Sequence, residues 1–239
     1  MRLNRYLSVC GYTSRRKAEI AIRAGHVKVN GFIMTDPAVT VDPEHDTVTI
    51  DGVTFVITTQ RRYYVMNKPI GVIVSRGDTH GRVTVYDLLG PETRGVVSAG
   101  RLDADTSGVL IFSDDGKMVH RLTHPSFGVE KVYCAEVEGK VEKEDVQRLK
   151  EGLILNDGLT APVNMKICQS WDDCSIIEVA MHEGRKRQVR RMLAHIGHPV
   201  RMLERISFGC VTLKNIPLGE YRDLSREEIE CLKKMVDLL

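Results

Sequence analysis

Short apolar runs alternate with polar turns along most of this 239-residue chain. The runs at 96–99 and 109–112 are rich in β-branched or large apolar residues and too brief for a helix, so each predicts a buried strand. Comparable runs predict further strands at 63–68, 130–137, 153–155, 161–168, 175–181, 200–213 and 221–222. Periodicity and stop signals predict helices at 85–89, 117–124, 142–151, 185–196 and 226–238. Strands dominate, which predicts an α+β fold with a mixed, largely antiparallel sheet.

The first 58 residues predict a small domain of their own. Two short helices, the second over residues 15–24, precede a strand at 26–31 that turns at an Asn-Gly pair, a strong hairpin signal. Strands around 39–41 and 47–50 complete this unit. Residues 59–62 are polar and predict a linker, so that a larger domain is expected over residues 63–239.

The composition excludes several classes of protein. An apolar content of 42% is ordinary for a globular domain, and no apolar run approaches the roughly 18 residues of a membrane span. The N-terminus has no signal-peptide core. Six cysteines are scattered without a Cys-x-x-Cys pair, which predicts buried, reduced thiols. We therefore expect a cytoplasmic protein with no membrane partner, and a monomer.

The charges are unevenly distributed although the net charge is only +2. Residues 1–30 carry seven Lys or Arg against one acid, whereas residues 31–57 carry five acids and no Lys or Arg. Residues 183–205 carry six Arg and one Lys against two acids. Two basic segments in an otherwise acidic chain predict a surface that binds a polyanion.

The candidate catalytic residues lie in Gly100–Gly108, between the predicted strands at 96–99 and 109–112. This segment reads G-R-L-D-A-D-T-S-G. Its acids and hydroxyls could simply cap turns. A calcium loop is an alternative, because five residues match an EF-hand pattern: Asp103, Asp105, Ser107, Gly108 and Asp114. That match lacks the final Glu and the flanking helices. The third reading is a reactive carboxylate at Asp103, kept ionised by Arg101 and by the basic stretch at 185–191.

Three segments of the first thirty residues form a distinctive pattern: Arg2-Leu3-x-x-Tyr6-Leu7, Ser14-Arg15-Arg16-x-Ala18 and Gly25-x-Val27-x-Val29-Asn30-Gly31. This pattern resembles the S4 RNA-binding domain. S4 domains bind structured RNA through their basic helices. The resemblance therefore implies an RNA-binding role for six cations: Arg2, Arg5, Arg15, Arg16, Lys17 and Lys28.

The remainder of the chain contains five further segments that belong together: Lys68-Pro69-x-Gly71, residues 100–110, Lys131-x-Tyr133, residues 183–192 and residues 200–209. In this order, and over nearly the whole length, the chain resembles the ribosomal RNA pseudouridine synthases of the RsuA family, which pair an S4 domain with a catalytic domain. This resemblance rests on all five segments together. It implies conversion of a uridine in ribosomal RNA to pseudouridine, with no cofactor and no metal. The RNA partner would be free rRNA or an assembling ribosomal particle.

The same resemblance implies the roles of individual residues. Asp103 matches the catalytic aspartate, Tyr133 the aromatic residue that stacks on the target base, and Arg190 the cation that pairs with the aspartate. The remaining matches imply contacts with substrate or RNA: Arg101, Lys131, Arg185, Arg187, Arg191 and Leu203.

The choice of substrate stays open at this point. Residues 122–126 and 106–108 look more like the enzymes of the large subunit, which favours 23S rRNA and leaves 16S rRNA as the other candidate. A different class of function is a non-catalytic, RNA-binding ribosome assembly factor. Retention of Asp103 in its full motif argues against that alternative, because a non-catalytic relative would be free to lose it.

Overall fold

The computed structural model describes residues 1–57 and 61–239, which form two compact units. The first comprises Met1–Tyr63, Leu89–Val97 and Ser113–Asp115. The second comprises Tyr64–Leu88, Ser98–Phe112 and Gly116–Leu239. The predicted linker at 59–62 lies partly outside the described residues, and the domain boundaries drawn from the sequence stay a prediction.

The first unit is built from two helices and a four-stranded antiparallel sheet in its described residues, in the order β2-β1-β3-β4. Its elements are α1 (Leu3–Val9), α2 (Arg15–Arg23), β1 (Val27–Val29), β2 (Phe32–Met34), β3 (Val48–Ile50) and β4 (Val53–Phe55). Ser14 caps α2 by accepting a hydrogen bond from the Lys17 amide. The strand expected around 39–41 is wrong, because that segment forms only an isolated bridge between Thr40 and Arg2.

The core of the first unit follows directly from the apolar spacing of its sequence. Leu3, Tyr6 and Leu7 on α1 are buried together with Ala18 and Ile22 on α2. These residues recur every three or four positions, which places them on one face of each helix. The opposite faces are left to the basic side chains.

The remaining elements follow from residue 63 onward. They are β5 (Tyr63–Lys68), β6 (Val97–Ser98), β7 (Ser107–Ser113), α3 (Gly116–Thr123), β8 (Lys131–Glu138), α4 (Lys143–Glu151), β9 (Ile154–Leu155), β10 (Gly158–Leu159), β11 (Asn164–Ser170), β12 (Cys174–Met181), α5 (Gln188–His195), β13 (Val200–Phe208), β14 (Val211–Thr212), β15 (Tyr221–Asp223) and α6 (Arg226–Met235). Short 3₁₀ turns lie at Pro91–Thr93 and Pro125–Phe127.

Nine of the described strands form one mixed sheet, whose main path is β11-β12-β8-β13-β7-β5-β15. Strand β14 pairs with β13, and β6 pairs with β7. The pairing of β13 with β7 is parallel, whereas β8, β11, β12, β13 and β15 otherwise pair in antiparallel fashion. The predicted α+β fold with a mixed, largely antiparallel sheet is confirmed.

Helices α4 and α5 pack on one face of this sheet. Leu149 of α4 and Leu193 of α5 are buried in one core with Val137 of β8 and Ile177 of β12. Buried and partly buried residues alternate along β12, which explains how one face of the strand meets the helices. The outermost strand of this side, β11, carries a register shift between Ile167 and Gln169.

The parallel pair depends on Gly108, the last residue of the G-R-L-D-A-D-T-S-G segment. Gly108 pairs with Arg205 of β13, and a Cβ atom added there would lie 2.7 Å from the Arg205 backbone nitrogen. Its φ is +107°, a conformation that side chains disfavour. A glycine is therefore required where the strand that leaves the acidic loop meets β13.

Two helix predictions need correction. Residues 85–89, expected to form a short helix, form turns. The basic helix expected over 185–196 begins only at Gln188, because Arg187 has φ 51° and ψ 34° in the left-handed region. Arg185 and Arg187 therefore lie in the turn before α5 rather than on its face.

The expectation of buried, reduced thiols is also wrong. Cys210 and Cys231 form a disulfide bond, with their Cα atoms 6.6 Å apart, which joins the end of β13 to α6. Cys168 is exposed, and Cys10, Cys134 and Cys174 are partly exposed. The local sequence does not predict this disulfide bond, because the two cysteines are 21 residues apart. They come close together where α6 packs against Gly209. No helix in the described ranges is long and apolar enough to cross a membrane.

Candidate active site

The acidic loop, residues 99–106, joins β6 to β7, and a buried lysine stabilises it by hydrogen bonds. Lys68, at the end of β5, is fully buried and donates hydrogen bonds from Nζ to the carbonyl oxygens of Pro69 and Thr106, each at 2.8 Å. The Gly71 amide donates to the Ala104 carbonyl at 2.7 Å. Burial lowers the pKa of Lys68 to about 8, against the attraction of Asp105 and Asp103.

Asp105 fastens the same loop from the other side. Both of its carboxylate oxygens accept hydrogen bonds from Arg187, each at 2.8 Å. Arg190 donates from Nη2 to the Asp105 carbonyl at 2.7 Å, and its Nε lies 3.2 Å from the Asp105 carboxylate. These bonds to Arg187, with the nearby charge of Arg190, lower the pKa of the Asp105 carboxyl below its usual range.

The carboxylate partner of Arg190 therefore differs from the one expected. The sequence resemblance implied a pair with Asp103, but in the structure the ion pair of Arg190 is with Asp105. Residue spacing could not distinguish these two carboxylates, because both lie on the same short loop. The catalytic role of Arg190 stays a prediction. In the structure, Arg190 contacts the acidic loop at Asp105 and not at Asp103.

Asp103 borders a cavity of about 520 Å³ in the second unit. Tyr133 of β8 and Leu203 of β13 border the same cavity, as do Arg101, Arg185 and Arg187. Adjacent strands β8 and β13 present the two side chains, since Leu203 pairs with Ala135 and Arg205 pairs with Tyr133. Leu203 is buried and Tyr133 is half-buried, so the cavity offers an apolar wall and an aromatic wall beside a carboxylate.

Two arginines that were predicted to contact substrate or RNA, Arg185 and Arg191, instead bind the β9–β10 hairpin. Arg185 donates to the Leu159 carbonyl at 2.6 Å and to Glu183 at 3.2 Å. Arg191 pairs with Asp157 at 2.8 Å. Arg191, Arg190 and Lys131 are absent from the described lining of the Asp103 cavity. The six predicted residues that do meet there are Arg101, Asp103, Tyr133, Arg185, Arg187 and Leu203.

The calcium alternative does not fit this geometry. The last of the five matching residues, Asp114, comes directly after β7 (Ser107–Ser113), whereas an EF-hand loop curls around its ion. The strand carries the intervening residues away from Asp103 in an extended conformation. The described residues also contain no cluster of three or more His, Cys, Asp or Glu side chains arranged to hold a metal ion.

Sequence reasoning missed three residues that shape the site. The sequence points to Lys68 only as part of the Lys68-Pro69-x-Gly71 match and to Asp105 only as a position in the calcium pattern, and it predicts no role for Arg205. A signal for Lys68 exists in the sequence, because the residue comes at the end of a predicted strand that opens with the apolar run 63–66. The structure buries every position of that strand. No comparable signal marks Asp105 or Arg205, whose partners are distant in sequence.

The predicted RNA-binding cations of the first unit are all exposed. This holds for Arg2, Arg5, Arg15, Arg16, Lys17 and Lys28. Within residues 1–57 and 61–239, none of the six side chains forms an ion pair with an acid. Glu19, the one acid among the first thirty residues, accepts a hydrogen bond from Asn4 at 2.6 Å. These cations are therefore available to an external anion.

Comparison with known families identifies both parts of the chain. A family model described as RNA pseudouridylate synthase matches residues 62–195, and the S4 domain model matches residues 1–48. The chain belongs to the RNA pseudouridylate synthase family. Its members are isomerases, and the S4 domain at the N-terminus fits the RsuA type of this family.

Individual relatives agree with this assignment over the whole chain. An uncharacterized RNA pseudouridine synthase of Aquifex aeolicus is 39% identical over 239 residues, covering 100% of this chain and 96% of the relative. The Bacillus subtilis protein named ribosomal large subunit pseudouridine synthase B is 37% identical, with 99% and 97% covered. A solved pseudouridylate synthase structure superposes with a TM-score of 0.71 at 32% identity, covering 97% and 99% of the two chains.

Proposed function

We propose that this pseudouridylate synthase isomerises a specific uridine of ribosomal RNA, with 23S rRNA as the favoured substrate and Asp103 as the catalytic residue. The observation that carries the proposal is the placement of Asp103 on a fastened loop beside a cavity with an aromatic and an apolar wall. The favoured subunit rests on the relatives in Bacillus subtilis and Vibrio cholerae, both named ribosomal large subunit pseudouridine synthase B.

The proposed reaction rearranges bonds within one nucleotide. The N1–C1′ bond of the uridine breaks, the freed base rotates, and C5 forms the new bond to C1′. The hydrogen on C5 is lost as a proton and N1 gains one, so the product is an isomer of the substrate and no external oxidant or reductant is consumed. This chemistry requires a carboxylate that stays ionised and a base that is held while it turns.

The geometry of the cavity suits both requirements. Asp103 attacks the nucleotide or acts as a base, and the loop bonds from Lys68 and Arg187 hold it in place. Tyr133 stacks on the base, a contact typically worth about 1–3 kcal/mol. Leu203 closes the opposite, apolar side. Arg101, exposed at the cavity, occupies the space that the extruded base leaves in the RNA stack.

The S4 unit supplies most of the affinity for RNA, because the cavity can contact only a few nucleotides. Extruding a uridine from folded RNA costs a few kcal/mol, which contacts to the RNA backbone offset. Exposed cations on α1 and α2, among them Arg5, Arg15 and Arg16, provide such contacts without competition from neighbouring acids. The protein thereby selects structured RNA through one unit and modifies it through the other.

The experiment that tests this function incubates the purified protein with unmodified 16S and 23S transcripts and maps pseudouridine in each. We expect one new pseudouridine in 23S rRNA with the wild-type protein and none with Asp103→Asn, which keeps the size of the side chain but removes its charge. Asp103→Ala serves as a second loss-of-charge variant. Glu230→Gln, which removes an exposed carboxylate paired with Arg226, serves as the matched control and keeps full activity.

The alternative, a non-catalytic ribosome assembly factor, predicts a different outcome. Such a protein would bind rRNA with similar affinity before and after the Asp103 substitutions and would form no pseudouridine in transcripts or in assembling particles. Product in 16S rRNA alone would correct the substrate. Product that persists with Asp103→Asn would overturn the role of Asp103.

A further inference from the structure

A second cavity, of about 300 Å³, adjoins the Asp103 cavity in the second unit. The two share a wall that includes Arg101 and Tyr133. Lys131, Arg205 and Phe208 border the second cavity but not the first. The isomerisation described above uses neither Arg205 nor Phe208, so their arrangement needs a separate explanation.

Two buried cations meet in this cavity. The exposed fractions of Lys131 and Arg205 are 9% and 3%. Both contact the Phe208 ring, with Lys131 Nζ at 5.2 Å and the Arg205 guanidinium carbon at 4.9 Å from its centre. Burying one cation is costly unless an opposite charge compensates it, and burying two side by side adds repulsion. Among the described residues neither cation forms an ion pair with an acid.

The hydrogen-bonding capacity of the pair is also incompletely used. Arg205 donates from Nε to the Val109 carbonyl at 2.8 Å, whereas its buried Nη2 has no partner among the described residues. Lys131 Nζ donates only to carbonyl oxygens, those of Val129 at 2.8 Å and His182 at 3.3 Å. Burial, together with the nearby charge of Arg205, lowers the pKa of Lys131 to about 8.

Glu183 is the one carboxylate in the described lining of this cavity, and it does not neutralise the pair. Glu183 accepts hydrogen bonds from Arg185 Nε at 3.2 Å and from the Ala161 amide at 3.0 Å, and also contacts Gln188. Its charge is therefore directed to the turn before α5. The cavity keeps an excess of positive charge and of donors, which is the chemistry that an anion with several acceptor oxygens would satisfy.

We propose that Lys131 and Arg205 form a phosphate subsite, which binds a backbone phosphate next to the target uridine. The planar guanidinium suits two phosphate oxygens, and the ammonium adds a point charge. Because the two cavities share a wall, a uridine in the first places its neighbouring phosphate near the second. The choice of RNA rests on the proposed function, whereas anion binding at the pair does not.

The first test uses inorganic phosphate as the probe and follows the side-chain Nε–H signals of the arginines in the full chain by NMR. The Arg205 signal is expected to shift and saturate. The signal of Arg201, an exposed residue of the same strand, is expected to stay in place and serves as the internal control. Lys131→Met should weaken phosphate binding at least about 10-fold, the loss typical of a charged hydrogen bond. A stationary Arg205 signal, or unchanged affinity in Lys131→Met, would overturn the subsite.

The second test replaces single phosphates around the target uridine by neutral methylphosphonates and measures RNA affinity. One neighbouring linkage should cost the wild-type protein about 10-fold and cost Arg205→Met nothing further, because the contact is already lost. Arg201→Met should behave as the wild type. Lys131→Met provides the same comparison if Arg205→Met does not fold. Additive losses at every linkage would contradict the assignment.

The two tests separate this inference from the proposed function. A protein that makes no pseudouridine but whose Arg205 signal responds to phosphate would refute the function and support the subsite. A protein that modifies rRNA normally but whose Arg205 signal does not shift with phosphate would support the proposed function and refute the phosphate subsite.

Discussion

Asp103 and Asp105 lie two residues apart on one loop, yet their surroundings differ. Asp105 is bound by Arg187 through two hydrogen bonds of 2.8 Å and lies beside Arg190. The carboxylate of Asp103 borders the cavity and accepts no hydrogen bond from the part of the chain that the structure describes. The carboxylate of Asp105 therefore stabilises the loop, whereas the carboxylate of Asp103 is accessible from the cavity.

Asp105→Asn should lower the rate of pseudouridine formation while leaving RNA affinity nearly unchanged. The amide cannot receive both arginines as an anion does, and displacing a reactive group by about 1 Å costs roughly 100-fold in rate. We expect a single-turnover rate reduced about 10- to 100-fold and a dissociation constant within about 3-fold of the wild type. Glu230→Gln is again the control. An equal loss in affinity would indicate that Asp105 contacts the RNA rather than positioning the loop.

At the scale of single residues, local motifs were informative and long-range partners were not. The apolar runs on either side of residues 100–108 were sufficient to place Asp103 on a loop between two strands, and alternation along β8 was sufficient to place Tyr133 in a strand. The partners of Arg190 and Arg205 depend on which loop meets which strand. Nothing in their own sequence neighbourhood contains that information.

Among the elements, the parallel contact of β7 and β13 joins the acidic loop to the strand that carries Leu203 and Arg205. Gly108 allows the two backbones to approach at this point. The contact therefore supports the Asp103 cavity and the phosphate subsite at once, and a change at Gly108 should affect the stability of the whole sheet.

Gly108→Ala should lower the free energy of unfolding by about 2–4 kcal/mol. The estimate combines the cost of an unfavourable positive φ with that of forcing an extra methyl group against a backbone. Urea denaturation at neutral pH measures the change. Gly116→Ala is the matched control, because an added Cβ there meets no atom within 4 Å, and its stability should stay within about 1 kcal/mol. Equal midpoints for the two variants would contradict the close approach of the strands.

The first turn of helix α6 contains a buried carboxylate that belongs to a charge cluster. Glu228 is 5% exposed and accepts hydrogen bonds from Arg222 at 2.7 and 2.9 Å, with Lys214 at 2.9 Å. It also forms a capping box with Ser225. The hydrogen bonds from Arg222 are the main cause that lowers the pKa of Glu228 from 4.5 to about 2.

Glu228→Gln should destabilise the protein in a pH-dependent way. Because the pKa is lower in the folded state, the carboxylate stabilises the fold above about pH 4.5 and loses this effect as the pH falls toward 2. At pH 7 we expect a loss of about 3 kcal/mol, which shrinks below pH 4.5. Urea denaturation at several pH values gives both quantities. Glu230→Gln, an exposed carboxylate on the same helix, should show a small and nearly constant effect. A constant deficit for Glu228→Gln would exclude the linkage.

Most elements were predictable because their patterns are local. The strands around 109–112, 130–137 and 175–181 and the helix around 142–151 were confirmed with small shifts of their ends. The predicted start of α5 at residue 185 was wrong, because apolar spacing does not reveal that Arg187 adopts a left-handed conformation. Turn geometry of this kind depends on tertiary bonds, here those from Arg187 to Asp105.

Across the whole molecule, the cations of the two predicted RNA-binding regions differ in whether they are paired with acids. The exposed cations of α1 and α2 have no acidic partners among the described residues, whereas Arg185, Arg187 and Arg191 are paired with acids. The uneven charge distribution in the sequence marks both basic segments, but only the structure distinguishes cations that are paired with acids from those that are not. The first unit is thus expected to dominate the salt dependence of RNA binding.

Replacing Arg15, Arg16 and Lys17 together by glutamine should weaken RNA binding and make it less sensitive to salt. Each phosphate contact removed lowers the slope of log affinity against log salt concentration by about 0.7–0.9. We expect a slope reduced by about 2, measured by filter binding or fluorescence anisotropy between low and moderate salt. The control removes the same net charge from exposed lysines of the second unit, Lys143, Lys150 and Lys166. Identical slopes for the two triple variants would show that the S4 cations make no special contribution.

The register shift in β11 has a consequence for how this molecule avoids its own copies. β11 ends one side of the nine-stranded sheet, and such an open ladder invites a second chain to continue it. The irregularity between Ile167 and Gln169 bends the ladder, and the exposed Lys166 adds a charge that a neighbouring strand would have to bury. The irregular pairing of β11 thus disfavours the addition of a further strand at this edge of the sheet.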